Sequence, residues 1–300
     1  HKIRVHSSIR GKNIRVYCAL VALTLKRPYF PGWRKHSSLI ICSQICHVFQ
    51  DTFVIICMDY PQPLLITYAY NILGSYEEAK DVVQDVLLER LTRNGYAIQN
   101  ENAYLTRSVI NRAINAKNRQ KKLLSGYPGN WLPEPVPTES ADYHLQQKDI
   151  LCYSLMVLLE KLDARQRAVF ILKEAFDYEH EEIAAVLNIS ADNSRKILSR
   201  AKAQLHMENE IEEKALPADY LDKYMEVISK GDTGKLEKLL AEEIMVISDG
   251  GGKASAFRKP IKGRRSVMAL LMGIYEKFYK HIRIEKTSVN HEPALFYYHG

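Results

Sequence analysis

Residues 177–205 read DYEHEEIAAVLNISADNSRKILSRAKAQL. Glu179, Glu181 and Glu182 stand where a helix would begin, and carboxylates there suit the positive end of the helix dipole. Ile183, Ala184, Val186 and Leu187 give that helix one apolar side. Asn188-Ile189 breaks it, and Ser190 is a good N-cap for a second helix. In the second helix Ile197, Ala201 and Leu205 recur every four residues and pack inward. Asp192, Arg195, Lys196, Ser199 and Lys202 share the opposite face. The pattern predicts a helix-turn-helix whose second helix has a basic-polar outer face, the geometry that enters a major groove. A helical hairpin with a solvated charged face fits the same stretch taken alone.

Three hundred residues predict about two domains, and 46% hydrophobic content suits a chain that buries a core. The net charge of +7 is unevenly placed. Residues 1–57 hold nine Lys or Arg against one acid, Asp51, a surplus of eight; the other 33 bases and 34 acids nearly cancel. Nucleic-acid binding therefore has to rest on local patches. Cysteine is skewed the same way, with Cys18, Cys42, Cys46 and Cys57 early and Cys152 alone later. The body of the chain has neither a disulfide framework nor zinc spacing, which fits a reducing cytosol. Cys42, Cys46 and His47 make only a weak metal pattern, and no metal or cofactor is expected.

Residues 1–57 show no clean period. Their apolar part, 38–57, contains Gln44, His47, Gln50 and Asp51, too many polar groups for a membrane span. Nor do they resemble a signal peptide. Orderly patterning starts after Met58, so translation is expected to begin near there, with 1–57 a non-native or disordered extension. A membrane anchor is the alternative.

Residues 63–73 predict a short apolar helix stopped by Gly74. Ser75 to Glu78 form a capping box for the next helix. Its stripe is Ala79, Val82, Val83, Val86 and Leu87, with Asp81, Gln84 and Asp85 together outside. That acid-amide-acid face is either solvated or a dock for a basic partner. Asn102 is expected to cap a third helix running to about 122. This helix carries Leu105, Val109, Ala113 and Ile114 inward, Tyr104 at its start, and Arg107, Arg112, Lys117, Arg119, Lys121 and Lys122 with no acid. Bases beside an aromatic suit backbone tracking and base stacking on DNA strands. Prolines and glycines between 123 and 140 exclude a helix. Trp131 in that linker is costly to leave in water, so it should dock. Beyond Leu216-Pro217, two amphipathic helices, a strand over 244–248, a turn at 249–253, a helix over about 264–278 and two more strand-like runs predict an α+β unit.

In that order, the acidic helix, basic helix, linker and helix-turn-helix resemble a bacterial RNA polymerase sigma factor of the extracytoplasmic-function class. The matching text is AYNILGSYEEAKDVVQDVLLERL, NAYLTRSVINRAINAKNRQKK and LDARQRAVFILKEAFDYEHEEIAAVLNISADNSRKILSRAKAQL. WLPEP (Trp131, Leu132, Pro133, Glu134, Pro135) and DGGGK (Asp249, Gly250, Gly251, Gly252, Lys253) narrow the likeness to the SigJ-type subgroup, which carries a fused SnoaL-like domain. The resemblance implies a multidomain fold. Two all-α domains, sigma region 2 over 58–124 and the helix-turn-helix of region 4 over 146–210, are joined by a linker over 125–145. A truncated α+β SnoaL-like (NTF2-like) domain follows over 216–300. It implies that Asp81, Gln84 and Asp85 bind the polymerase core. Tyr104, Arg107, Asn111, Arg112 and Asn115 would melt and read the −10 element; Asp192, Asn193, Arg195, Lys196, Ser199 and Arg200 would read the −35 element. The implied partners are promoter DNA and core polymerase, through its β′ clamp and β flap. No membrane is involved, and no separate anti-sigma factor is needed if the fused domain folds back and regulates. The chain is then cytoplasmic and not an enzyme, and Glu134 is left free to pair a base.

Other readings compete. A stand-alone helix-turn-helix regulator has no use for the acidic face. A SnoaL-like enzyme would draw on His281, His291, Asp249 or Glu285, which have no telling spacing. A glycine loop can cradle phosphate, but no helix N-terminus follows this one directly.

Overall fold

The structure, a computed structural model, describes residues 62–92, 98–123, 131–138, 145–205, 219–249, 257 and 259–298, together with the backbone of 4–9 and 19–21. The first helix, α1 (Gln62–Leu73), is buried over nine consecutive residues, so it forms the middle of its domain rather than one side. Gly74 ends it at φ 77°, a conformation that favours glycine. A Cβ there would also meet Glu160 Oε1 at 3.3 Å and Pro133 Cβ at 3.4 Å. Helix α2 (Tyr76–Thr92) buries Ala79, Val82, Val83 and Val86 against α1. Helix α3 (Glu101–Leu123) lies across both. Its cap is Asn100, whose Oδ1 accepts from Ala103 N at 3.0 Å, not Asn102. The helix starts two residues earlier than expected, so Asn102 is already inside it and exposed.

A 3-10 turn (Gln147–Asp149) leads into α4 (Tyr153–Leu159). Helix α5 (Ala164–Glu174) opens with a reciprocal capping box between Asp163 and Gln166. Helices α6 (His180–Leu187) and α7 (Ala191–Leu205) form the helix-turn-helix. Asn188 closes α6 at φ 53°, and Ser190 Oγ accepts from Asn193 N at 3.2 Å at the head of α7. One hydrophobic core runs from α1 through α7, with α3 packed on α5 and α6.

The C-terminal unit has its own core. Helices α8 (Tyr220–Ser229), α9 (Thr233–Leu239) and α10 (Arg264–Ile274) pack with Ile244, Val246, Leu295 and Tyr297 of a sheet, and a π-helical turn (Tyr275–Tyr279) extends α10. Six strands take part: β1 (Arg4–Ile9), β2 (Ala19–Val21), β3 (Ile244–Asp249), β4 (Ile261–Lys262), β5 (Arg283–Val289) and β6 (Glu292–Tyr298), in the order β4-β3-β1-β2-β6-β5. Residues 4–9 and 19–21 supply two strands of this sheet. Strand β1 runs antiparallel to β3 over six residues, and β2 runs parallel to β6. The physical reason is the edge problem: β3 and β6 otherwise leave rows of backbone N–H and C=O groups unpaired. These two strands lie between β3 and β6 in the sheet. Among the described residues no helix is long and apolar enough to cross a membrane.

A buried ionic cluster holds the first two helical units together. Arg167, wholly buried on α5, donates from Nη1 to Glu160 Oε1 at 2.5 Å and from Nε to the Asn71 carbonyl at 2.9 Å. Lys117 of α3 donates to both Glu160 oxygens and to the Leu73 carbonyl, each at 2.9 Å. Burial, then the nearby Arg167 charge, pushes the Lys117 ammonium down to about 8. Burial opposes the Glu160 carboxylate form, yet Arg167 and Lys117 together hold it below the usual range. Removing Glu160 strands two buried cations, whereas removing Lys117 leaves one ion pair intact. Glu160→Met is therefore expected to cost about 3–5 kcal/mol and Lys117→Met clearly less. Urea unfolding of the two variants checks this; equal losses would contradict it.

Candidate nucleic-acid interface

Asp81, Gln84 and Asp85 lie exposed on one face of α2, as their spacing requires. Leu88 completes that face one turn on and is 60% exposed, a large apolar side chain the sequence reading passed over. Its signal was its place seven residues after Asp81, off the buried stripe.

Helix α3 is less basic to solvent than its sequence suggests. Arg107, Asn115, Arg119, Lys121 and Lys122 are exposed. Lys117 is not part of the outer patch, because Glu160 and the end of α1 take its ammonium. Arg112 donates to Glu89 at 2.6 Å and lies 3.6 Å from Asp85, so it ties α3 to the acidic helix. Asn111 Nδ2 donates to the Arg107 carbonyl and to the Val186 carbonyl, both at 2.8 Å. The second of these bonds fastens α3 to the first helix of the helix-turn-helix. Tyr104 is half-buried against the core.

On α7, Asp192, Asn193, Arg195, Lys196, Ser199 and Arg200 are all exposed, while Ser194, Ile197, Leu198, Ala201 and Leu205 point inward. Arg195 donates to Asp192 at 3.0 Å and to Glu181 at 2.8 Å. Exposed pairs of this kind contribute about 0–1 kcal/mol, so phosphates or base edges can replace them. His180 Nδ1 lies 2.9 Å from the buried Ser194 Oγ, pinning the two helices of the motif; the sequence reading missed this pair.

The linker is fastened along its length. Leu132 N donates to Asp249 Oδ2 at 3.0 Å, and both residues are buried. Tyr153 Oη donates to the Pro133 carbonyl at 2.9 Å. Glu134 is not free to pair a base. Its Oε2 accepts from Tyr76 N and Ser75 Oγ at 3.1 and 3.2 Å, because the exposed amides at the start of α2 need an acceptor. Its own N donates to the Gly74 carbonyl at 2.6 Å. Pro135 and Leu132 are buried, and Trp131 is half-buried. Residues 136–138 run antiparallel to the end of β5, with Thr138 N donating to the Ser288 carbonyl at 3.1 Å. Gly250, Gly251, Gly252 and Lys253 lie outside the described residues, as do Cys42, Cys46 and His47.

Among the described residues no group of acids, His and Cys is placed to hold a metal. In the C-terminal unit, Tyr224, Tyr279 and Tyr297 help line a cavity of about 10 Å³, room for one water. Burial pushes the Tyr279 hydroxyl, which has no hydrogen-bond partner among the described residues, up to about 12.

Comparison with known proteins agrees with this geometry. Residues 58–123 match the model of sigma-70 region 2, and 153–205 match that of sigma-70 region 4. The SigJ extracytoplasmic-function (ECF) RNA polymerase sigma factor of Mycobacterium tuberculosis is 28% identical over 226 residues, 71% of this chain and 70% of its own. The sigma-E factor of Streptomyces avermitilis is 29% identical over 164 residues, 54% of this chain and 87% of its own. The crystal structure of M. tuberculosis SigJ superposes with a TM-score of 0.61 at 23% identity, covering 78% of this chain and 92% of that one. That coverage exceeds what the two helical regions occupy, so the shared fold extends into the C-terminal unit. Regions 2 and 4 of the sigma-70 type define the class. Within it, the chain is similar to the ECF sigma factors of the SigJ type.

The Asn111 bond generates a prediction. Asn111→Ala removes about 1 kcal/mol from the α3–α6 contact, a roughly fivefold rise in local opening. Hydrogen exchange of the α6 amides should rise by that factor, and unchanged protection would contradict it.

Proposed function

We propose that this sigma factor binds core polymerase through the α2 face, reads the −10 element with α3 and the −35 element with α7, and is modulated by a SnoaL-like C-terminal domain. The assignment gives Asp81, Gln84 and Asp85 to the core and Tyr104, Arg107, Asn111, Arg112 and Asn115 to the −10 strand. Asp192, Asn193, Arg195, Lys196, Ser199 and Arg200 go to the −35 duplex. Arg195 and Lys196 are the side chains best placed for base edges. No catalytic step is assigned to the protein, and it acts with polymerase in the cytoplasm.

One observation carries the modulation. Helices α3 and α7 belong to a single hydrophobic core, and Asn111 is spent on a carbonyl of α6. Elements centred near −10 and −35 are roughly 25 base pairs apart, on the order of 85 Å of duplex. Two helices of one core cannot span that distance. The structure is therefore a closed state that must open before both elements are read. The docked WLPEP segment, with Asp249 on Leu132 N and Glu134 on α2, supports the C-terminal domain as what holds the closure. The outer faces of α2 and α7 stay exposed in the closed state, whereas the Asn111 bond has to break before α3 can read the −10 strand.

Reversal of Asp81 and Asp85 to Lys tests the core assignment. Opposed like charges at an interface cost several kcal/mol, so core affinity should fall by more than about tenfold with helix content unchanged. Affinity kept within about threefold would contradict the assignment.

A further inference from the structure

The turn between β5 and β6 is made by Asn290 and His291, both left-handed at φ 48° and 64°. Asn is among the few residues that adopt this conformation readily. The Asn290 side chain is wholly buried, and its polar atoms reach three separate parts of the chain. Oδ1 accepts from Val136 N of the linker at 2.9 Å. Nδ2 donates to the Leu151 carbonyl, just ahead of α4, at 3.0 Å. Nδ2 also donates to Tyr70 Oη on α1 at 2.9 Å, and that hydroxyl in turn donates to the Glu134 carbonyl at 2.6 Å. The backbone joins in: Asn290 N donates to the Val136 carbonyl at 3.0 Å. Two residues on, Glu292 Oε1 accepts from Ser154 N in the first turn of α4 at 3.0 Å.

We propose that Asn290 is the positioning residue through which the C-terminal domain sets how firmly regions 2 and 4 are held together. This rests on reading that domain as the modulator; it moves the decisive contact from the glycine loop to the β5–β6 turn. The physical basis is that one amide serves all three partners. If the turn withdraws, a buried Val136 N–H and a buried Leu151 carbonyl lose their partner together, and Tyr70 loses its donor. Leaving such groups unsatisfied costs far more than a formed bond gains, so the three contacts make or break as a unit. Closure is then switched as a whole rather than loosened by degrees.

The test uses the full chain throughout. Asn290→Gly keeps the left-handed turn, since glycine adopts positive φ freely, and removes only the side-chain bonds. Tyr70→Phe cuts the same node from the region 2 side without touching the C-terminal domain. Asp249→Ala cuts the separate contact to Leu132. Hydrogen exchange is read at the α4 amides and at β5–β6, alongside transcription from a cognate promoter with core polymerase. Asn290→Gly and Tyr70→Phe should each raise exchange in α4 by about tenfold or more, leave β5–β6 protected, and change promoter output in the same direction. If Asp249→Ala changes output while the other two leave α4 exchange within about twofold, the proposal is overturned and the modulating domain stands. If all three leave exchange and output unchanged, the modulating role fails as well. Should Asn290→Gly unravel β5–β6, Tyr70→Phe alone decides, by the same twofold limit.

Discussion

A guanidinium with no exposed surface cannot stand without a counter-charge, and in this chain Arg167 is such a group. Its needs set the closed arrangement. Glu160 is drawn over α5 to neutralise it, and a single carboxylate facing that charge has acceptor capacity to spare. Lys117 uses that capacity from the opposite unit, and the carbonyls of Asn71 and Leu73 at the end of α1 complete the set. Gly74 follows because only a residue without a side chain fits beside Glu160 and Pro133. Region 2 and region 4 thus share buried charges as well as buried apolar surface. Buried pairs of this kind add little net stability over a well-packed apolar contact, but they penalise partial separation strongly. That suits an interface that should be either shut or fully open.

The linker turns the two-body contact into a three-body one. It carries the Glu134 carboxylate to the start of α2, offers the Pro133 carbonyl to Tyr153, and lays residues 136–138 along the end of β5. Segments that add to a sheet edge bind by main-chain bonds and take their specificity from the side chains beside them. Here the neighbouring side chains are Asn290 and Asp249, both from the C-terminal unit. Contacts from both helical regions and from the C-terminal unit therefore meet on one short segment.

Much of this was legible in the residues themselves. Ser190, the Asn188 break and the inward period of Ile197, Ala201 and Leu205 specify the helix-turn-helix locally, because capping and periodicity act over a few residues. WLPEP and Asp249 drew notice as unusual text. The missed features depend on distant partners. Nothing around Lys117 distinguishes it from Arg119 or Lys121, since its burial is caused by Glu160, 43 residues away. Arg167 sits in an unremarkable helical run. Asn290 carried a usable signal, an Asn between two strand-like runs, but the glycines at 250–252 drew attention instead. The strands at 4–9 and 19–21 have no readable period, and their place follows from sheet edges hundreds of residues away.

Regions 2 and 4 form one closed body, which should separate when the factor engages polymerase and its promoter. A distance measured between labels at Asn115 on α3 and Lys196 on α7 tests this, in the free full chain and bound to core polymerase with promoter DNA, by pulsed electron spin resonance. Both sites are exposed, so the labels should not perturb the core. A single short distance is expected in the free chain, with an increase of several tens of ångströms on binding core and promoter, on the order of the promoter spacing. An unchanged distance, or a free chain already spread over long distances, would contradict it.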